Sequence, residues 1–255
     1  FSSVVRPGPE QLAPIFAVEQ NEDGDREGEF GNPDLDPYEA DNLDFSAEWY
    51  FAEASVLSAG VFYKDIENFI FNTQFEEDDP PFFGEFNGVP FTEAVIPQNG
   101  ENAEVLGFEI NYQQIMSFLP QPFNGMLLGL NYTYTDAEGD TGDRTIPLPA
   151  AAENTYNALL GYESDRLSVR LTAAYRDEYL DELGGDPDED RWVQDHLQID
   201  LTVNYDITDS IKLYSQFINL NDEPYVAFQR GPGRDRLLQY EEYSWTGRVG
   251  MQWTF

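Results

Sequence analysis

The sequence predicts an all-β fold in which antiparallel strands run up and down. Three observations support this prediction: apolar and polar residues alternate in segments of about ten residues, the connections between segments alternate in length, and aromatic residues lie near the segment ends. Helical periodicity is almost absent. The pattern therefore favours a sheet whose strands each present one apolar face and one polar face.

The period-2 alternation recurs along the whole chain. Residues 166–176 show it clearly, because Leu167 and Leu171 lie on the face opposite Ser168 and Arg170. The predicted strands are residues 41–51, 56–70, 106–114, 126–135, 155–163, 166–176, 197–205, 210–219 and 238–255, with a further short strand at 1–6.

Short and long connections alternate between these strands. The short ones include "AEAS", "SD" and "DITD", whereas the long ones hold most of the acidic residues. The long connections are predicted at about 7–40, 71–103, 136–150, 177–193 and 220–238. Tight turns at one end and long external loops at the other are typical of outer-membrane barrels. The sequence therefore predicts a transmembrane antiparallel up-and-down β-barrel.

A soluble β-sandwich also consists of alternating strands, and it stays open as an alternative. The apolar faces, however, carry Tyr or Trp near the strand ends, as at Trp49, Tyr112 and Trp253. Amphipathic rings of this kind favour the interface between a membrane and water. This placement makes the membrane barrel the preferred interpretation.

Composition restricts the classes of partner. The chain has 49 Asp and Glu against 13 Lys and Arg, a net charge of -36, which argues against binding nucleic acid. It has no Cys and one His, His196, so thiolate sites and histidine metal triads are excluded. No stretch approaches the roughly 20 apolar residues of a membrane-spanning helix.

The sequence contains no convincing enzyme site. Its paired carboxylates lie in predicted loops, where contact with water makes them poor general acids. His196 is interpreted as a residue at the end of a strand. No cofactor is predicted apart from loosely bound calcium. Asp186, Asp188 and Asp190 alternate in "GGDPDED" and could offer oxygen ligands, but an acidic solvated loop that binds divalent ions loosely is the preferred interpretation.

Polar and aromatic residues in the later long connections are the predicted ligand-binding set. Three of them are Arg residues within "QRGPGRDR", and guanidinium groups bind carboxylate or phosphate groups well. Pairing with neighbouring acidic loops or with lipopolysaccharide phosphates is the alternative role. The predicted residues are Tyr179, Arg191, Trp192, Tyr225, Phe228, Arg230, Arg234 and Arg236.

Several segments, in this order and spacing, resemble the C-terminal half of the β-barrel of a TonB-dependent outer-membrane receptor. They are Gly31 to Phe51 with Pro37 and Glu39, Leu57 to Ile70, Gly107 to Gln114, Ile218 to Tyr225 with Asn219, Leu220 and Asp222, and "GRVGMQWTF" at Gly247 to Phe255. The terminal strand, with Trp253 and Phe255, also resembles the signal that barrel-assembly machinery recognises.

The resemblance implies a fold and a function. The fold would be about nine or ten strands of a barrel of about 22, whose plug domain is not in this chain. The function would be binding a scarce nutrient (an iron chelate, a cobalamin or an oligosaccharide) and importing it with energy from TonB, in the outer membrane of a Gram-negative bacterium. Its partners would be the rest of the barrel and plug, the TonB complex and lipopolysaccharide.

Alternatives to active transport stay open. One is a passive porin-type barrel, and the other is a soluble acidic calcium-binding β-sandwich used in adhesion. Whether the chain is a fragment, a processed half or part of a longer receptor also stays open.

Overall fold

The computed structural model describes residues 1–14, 16–21 and 24–255, with only the backbone at Phe16. Its strands are β1 Ser2–Val5, β2 Phe16–Gln20, β3 Arg26–Phe30, β4 Tyr38–Ala52, β5 Ser55–Glu67, β6 Ile70–Glu76, β7 Glu85–Phe86, β8 Val89–Pro90, β9 Glu93–Asn99, β10 Asn102–Ile115, β11 Met126–Asp140, β12 Thr145–Pro147, β13 Asn154–Glu163, β14 Leu167–Arg176, β15 Tyr179–Glu182, β16 Arg191–Val193, β17 His196–Thr208, β18 Ile211–Ile218, β19 Tyr225–Gln229, β20 Arg236–Glu241 and β21 Thr246–Trp253. A short helix, α1, spans Pro9–Leu12, and a 3₁₀ helix spans Phe123–Gly125. No helix among these residues is long and apolar enough to cross a membrane.

One large sheet, which we call the wall, forms the body of the described chain. Its strand order is β1-β4-β5-β10-β11-β13-β14-β17-β18-β21, and β12 adds a short pairing to β11. Neighbouring wall strands are antiparallel throughout. The predicted all-β, up-and-down antiparallel fold is therefore confirmed.

The wall has one apolar face that is not covered by protein. In β14, Leu171 pairs with Leu160 and Leu201, yet 40% of its surface is exposed. The exposed large apolar residues of this face include Leu43, Phe45, Val61, Leu106, Phe108, Ile110, Leu130, Leu160, Leu171, Leu197, Val249, Met251 and Trp253. A soluble sandwich would bury such a face against a second sheet, so this exposure is typical of a lipid-facing barrel surface.

Short and long connections alternate at the two ends of the wall, as the sequence predicted. The short ones are residues 53–54, 116–125, 164–166 and 209–210. The long ones are residues 6–37, 68–101, 141–153, 177–195 and 219–245. Residues 102–103 and 136–140, which the sequence assigned to long connections, instead continue the ladder between β10 and β11.

The predicted single strand at 238–255 is wrong, because the chain leaves the wall within it. β20 pairs with β19 in a separate sheet, and β21 pairs with β18 in the wall. Between them Ser244 has a φ of 57°, a left-handed conformation that interrupts an extended strand. Asn68, with a φ of 58°, likewise ends β5 before the predicted limit of Ile70.

The long connections contain sheets and cores of their own. Strands β2, β3, β9 and β6 form one four-stranded sheet, and β15, β16, β19 and β20 form another. Two buried apolar clusters of the described residues are formed largely by these connections. Phe30, Phe75, Phe86, Phe91, Ala94 and Ile96 form one, and Phe69, Phe71, Ile146, Leu180 and Leu183 form the other together with Ala103 of β10. The long connections are thus folded by their own apolar packing.

Gly125, at the short-connection end of the wall, leaves no room for a side chain. A Cβ atom there would lie 1.9 Å from the carbonyl oxygen of Glu163. We expect Gly125→Ala to destabilise the full-length protein by about 1–3 kcal/mol, because a backbone atom must move to relieve the overlap. Urea-induced unfolding in lipid vesicles measures this difference. Asn124→Ala, in the same connection, is the control, and an equal loss in both variants would contradict the steric explanation.

Three carboxylates on adjacent strands make the stability of the β2-β3-β9-β6 sheet depend on pH. Glu93 in β9 is the register partner of Glu27 in β3 and of Glu76 in β6. Burial, and then repulsion from Glu27 and Glu76, raises the pKa of Glu93, although a hydrogen bond from Gln74 acts in the opposite direction.

A raised pKa in the folded state means that the protonated form stabilises this sheet. The stabilisation is fully present below the unfolded pKa and is lost as the pH rises through the folded pKa. We therefore expect hydrogen-exchange protection of β6 and β9 to increase as the pH falls from neutral toward the ordinary Glu range. Glu93→Gln should raise protection at neutral pH and remove this dependence, whereas Glu77→Gln should not.

Candidate functional site

The predicted ligand-binding residues lie on one sheet. We call the sheet of β15, β16, β19 and β20 the loop sheet; it is built from the connections 177–195 and 219–245. Tyr179 is in β15, Arg191 and Trp192 are in β16, Tyr225 and Phe228 are in β19, Arg236 begins β20, and Arg230 and Arg234 lie in the turn between β19 and β20. The sequence pattern thus selected residues that the fold brings close together.

Arg191 links its own strand, β16, to the other three strands of the loop sheet. Its Nε atom donates to Asp181 at 2.9 Å, and its Nη2 atom donates to the hydroxyl of Tyr225 at 3.4 Å and to the side-chain oxygen of Gln239. Burial lowers the pKa of Arg191, but the hydrogen bonds to Tyr225 and Asp181 outweigh it, and the net pKa is raised. The guanidinium group is therefore already occupied by the protein.

Arg230 stacks on Trp192 and pairs with an acidic residue. Its Cζ atom lies 3.8 Å from the centre of the Trp192 ring, and its Nη2 atom forms a salt bridge with Glu178. Arg176 makes a similar contact, with its Cζ atom 4.6 Å from the centre of the Tyr179 ring. Both cation–π contacts thus lie at the same end of the β15–β16 pair, where Tyr179 is the register partner of Val193 and Trp192 that of Leu180.

The three Arg residues of "QRGPGRDR" do not converge on one point. Arg236 donates to the backbone oxygen of Asp188 at 2.8 Å, while Arg230 binds Glu178. Arg234 is exposed and makes no hydrogen bond or salt bridge within the described chain. This arrangement does not form a ready clamp for an anion, which requires several guanidinium or amide groups aimed at one site.

A cleft of about 470 Å³ lies between the loop sheet and the adjoining ends of the wall strands. Its lining includes Tyr179, Trp192 and Arg230 from the predicted set, together with Glu153 and Asp195. Burial, followed by nearby Asp181 and Tyr225, raises the pKa of Tyr179, while Arg176 lowers it, so the net shift is upward. The Tyr179 hydroxyl therefore stays neutral and able to donate a hydrogen bond.

Other carboxylates of the cleft differ in their partners. Asp177 accepts hydrogen bonds from Asn154 at 2.6 Å and from the hydroxyl of Tyr175 at 2.9 Å. The exposed carboxylates of Glu153 and Asp195 make no hydrogen bond or salt bridge with the residues that the structure describes. The cleft therefore offers aromatic surface and free negative charge.

Asp190, one of the three predicted calcium ligands, is instead bound to Arg144. The guanidinium donates to both carboxylate oxygens, at 2.6 and 2.7 Å, and the backbone N–H of Gly184 donates to one of them at 3.0 Å. Asp186 and Asp188 are exposed. Within the described part of the chain, no group of three or more His, Cys, Asp or Glu residues is arranged to hold a metal ion.

Arg144 contacts the connection that carries part of the loop sheet, although the sequence did not single it out. It is the only basic residue of the connection 141–153 and it ties that connection to 177–195. Its isolation among acidic residues was the available signal, but the partner lies 46 positions away and could not be chosen from many carboxylates.

The predicted assembly signal lies at the last wall strand. Trp253 is the final residue of β21 and Phe255 follows it, with their ring centres 6.0 Å apart. Both rings are exposed. Their role in assembly stays a prediction.

Comparison with protein families identifies the kind of barrel. A family model described as TonB dependent receptor-like, beta-barrel, matches residues 1–220. The chain belongs to the TonB-dependent receptor family. Membership of this family of transport receptors agrees with the wall, with its exposed apolar face and with the long connections at one end. A search of curated proteins found no match to this chain.

Solved structures of other TonB-dependent receptors share this fold. The ferric enterobactin receptor mutant Q482A of Pseudomonas aeruginosa, in complex with enterobactin, is 16% identical with a TM-score of 0.62, and the match covers 100% of this chain and 37% of that one. The siderophore receptor PirA of Acinetobacter baumannii is 17% identical with a TM-score of 0.60 and coverage of 100% and 38%. The unliganded ferric citrate transporter FecA is 14% identical with a TM-score of 0.59 and coverage of 85% and 31%. The chain thus spans under two fifths of each of these receptors.

Proposed function

We propose that the receptor containing this chain binds a scarce nutrient outside the cell and imports it across the outer membrane of a Gram-negative bacterium with energy supplied by TonB. The family match over residues 1–220 carries this proposal. The nutrient is an iron chelate, a cobalamin or an oligosaccharide. The similar structures support the first class, since their names concern enterobactin, siderophores and ferric citrate.

Each part of the chain has a role in this function. The wall supplies about half of the barrel, the long connections are the external loops, and the loop sheet with its cleft contributes to nutrient binding. The rest of the barrel and the plug complete the receptor, and the TonB complex acts through the plug. Lipopolysaccharide and membrane lipid contact the exposed apolar face and its rim.

Uptake by cells tests this function. A strain lacking the gene is compared with the same strain carrying a restored copy. Each strain is given radiolabelled ferric chelates, cobalamin or oligosaccharides, one at a time and at low concentration. We expect one nutrient class to depend on the gene, and its uptake to stop in a strain without TonB while binding to cells persists. Gene-dependent uptake that continues without TonB would support a passive porin instead. If the protein is not found in the outer-membrane fraction of the cells, the proposal that it is an outer-membrane receptor is contradicted.

A further inference from the structure

Trp192 and Glu178 together have the composition of a cation-binding element. An aromatic face attracts a guanidinium or ammonium group through its ring quadrupole, and a carboxylate beside it adds a charge-assisted hydrogen bond. Both are present in the cleft, and Arg230 uses both at once. The protein's own side chain thus shows how a cation fits there.

Arg230 is held weakly enough to be replaced. Arg230 and Glu178 have 43% and 45% of their side-chain surface exposed, and exposed ion pairs are weak. Arg230 begins the turn between β19 and β20, where Gly233 has a φ of 99° and no atom within 4 Å of the position of a Cβ. The side chain can therefore leave Trp192 without disturbing a packed core.

The surroundings favour a positive group and disfavour a negative one. The exposed carboxylates of Glu153 and Asp195 line the same cleft and have no side-chain partner among the described residues. The connection 177–195 contains nine Asp or Glu residues and one Arg, and that Arg, Arg191, is bound by Asp181. Fields of one sign concentrate ligands of the opposite sign in clefts and raise their association rates.

We propose that Trp192 and Glu178 bind a positively charged group of the imported nutrient, and that Arg230 occupies this position in the ligand-free receptor. The inference rests on the proposed uptake function and adds the charge of the nutrient to it. The nutrient carries an ammonium or guanidinium group that displaces Arg230, and chelates with several negative charges are poor ligands of this cleft.

Binding of a small cation tests the element without knowledge of the nutrient. Methylguanidinium and its neutral counterpart methylurea are titrated into the purified full-length receptor, and binding is followed by tryptophan fluorescence and by NMR of the probe. We expect Arg230→Gln to bind methylguanidinium about three- to tenfold more tightly than the wild type, since the competing side chain is gone. Methylurea should not bind to either protein.

Three variants separate this role from a structural one. In the Arg230→Gln background, Glu178→Gln and Trp192→Leu should each weaken methylguanidinium binding at least fivefold. Trp192 also packs against the buried cluster that includes Leu180, so its replacement can disturb the fold. The exposed Glu178 is therefore the decisive position. Arg166→Gln removes an equal charge from the exposed short connection at the other end of the wall and should leave binding unchanged. Equal binding of methylguanidinium and methylurea to Arg230→Gln, or unchanged binding after Glu178→Gln, would overturn the proposal.

Uptake then links the element to the nutrient. Methylguanidinium, but not methylurea, should inhibit receptor-dependent uptake in cells, and the inhibition should be lost in Glu178→Gln. If methylguanidinium binds but does not inhibit uptake, the inference that the nutrient carries a positive group is refuted. The proposed function is unaffected in that case, because receptor-dependent uptake of the nutrient still occurs. Absence of any receptor-dependent uptake would instead refute the proposed function.

Discussion

Replacing Leu171 by Arg is expected to destabilise the receptor in a lipid bilayer by about 2–4 kcal/mol, the cost of a cationic side chain near the centre of a barrel's lipid-facing surface. Leu171 lies between Leu160 and Leu201 on the exposed apolar face of the wall. Urea titration of the full-length receptor in lipid vesicles measures the change in the free energy of unfolding. For receptor extracted from cells, the fraction of the protein that stays folded in detergent without heating reports the same loss of stability.

The neighbouring residue supplies a matched control. Thr172 points to the opposite face of the same strand, and its register partner in β17 is Asp200. Thr172→Arg therefore places the same charge between Asp200 of β17 and Leu159 of β13, on the face away from the exposed apolar residues, and we expect a change of at most about 0.5 kcal/mol. Equal losses in both variants would contradict the assignment of the apolar face to lipid.

Replacing Asp190 by Asn should loosen the long connections without unfolding the wall. Asp190 is 5% exposed and accepts from both terminal nitrogens of Arg144, so the change leaves a partly buried cation without its counter-charge. Breaking such a pair costs about 2–4 kcal/mol. Hydrogen exchange should therefore accelerate in residues 141–153 and 177–195, while exchange of β11, β13 and β14 stays unchanged.

The more exposed pair in the loop sheet is the comparison. Arg191 and Asp181 have 23% and 30% of their side-chain surface exposed, so water compensates more of the loss when Asp181 becomes Asn. We expect a smaller effect, about 1 kcal/mol. Replacing Arg144 by Met and Asp190 by Leu together should restore much of the protection, since no buried charge is then left unpaired. Failure of the double variant to recover would indicate that the pair also fixes the geometry of Gly184.

The wall could be predicted from the sequence because its pattern is local. Each strand of ten or more residues must place one face against lipid, so the period-2 alternation persists along its whole length, as in β10 and β14. The connection strands could not be predicted in the same way. β7, β8, β12 and β16 have two or three residues each, too few for a period to be visible, and β16 also pairs with the distant β19.

The candidate site was predictable in composition and less so in geometry. Aromatic and Arg residues in an acidic connection were visible signals, and they lie together on the loop sheet. Which carboxylate each Arg would bind depended on packing: Arg230 pairs with Glu178 52 positions earlier, whereas Arg234 pairs with no carboxylate in the described part of the chain. The long-range partners of Arg144 and Asp190 were likewise set by the fold.

The sheets in the long connections impose an order on folding. β3 pairs with β9 across more than sixty positions, and β16 pairs with β19 only after β17 and β18 have been placed between them. Such pairings carry a large loop-closure cost unless neighbouring wall hairpins have already brought their ends together. We therefore expect the wall to form first and the long connections, with both apolar clusters, to fold on it as a late step.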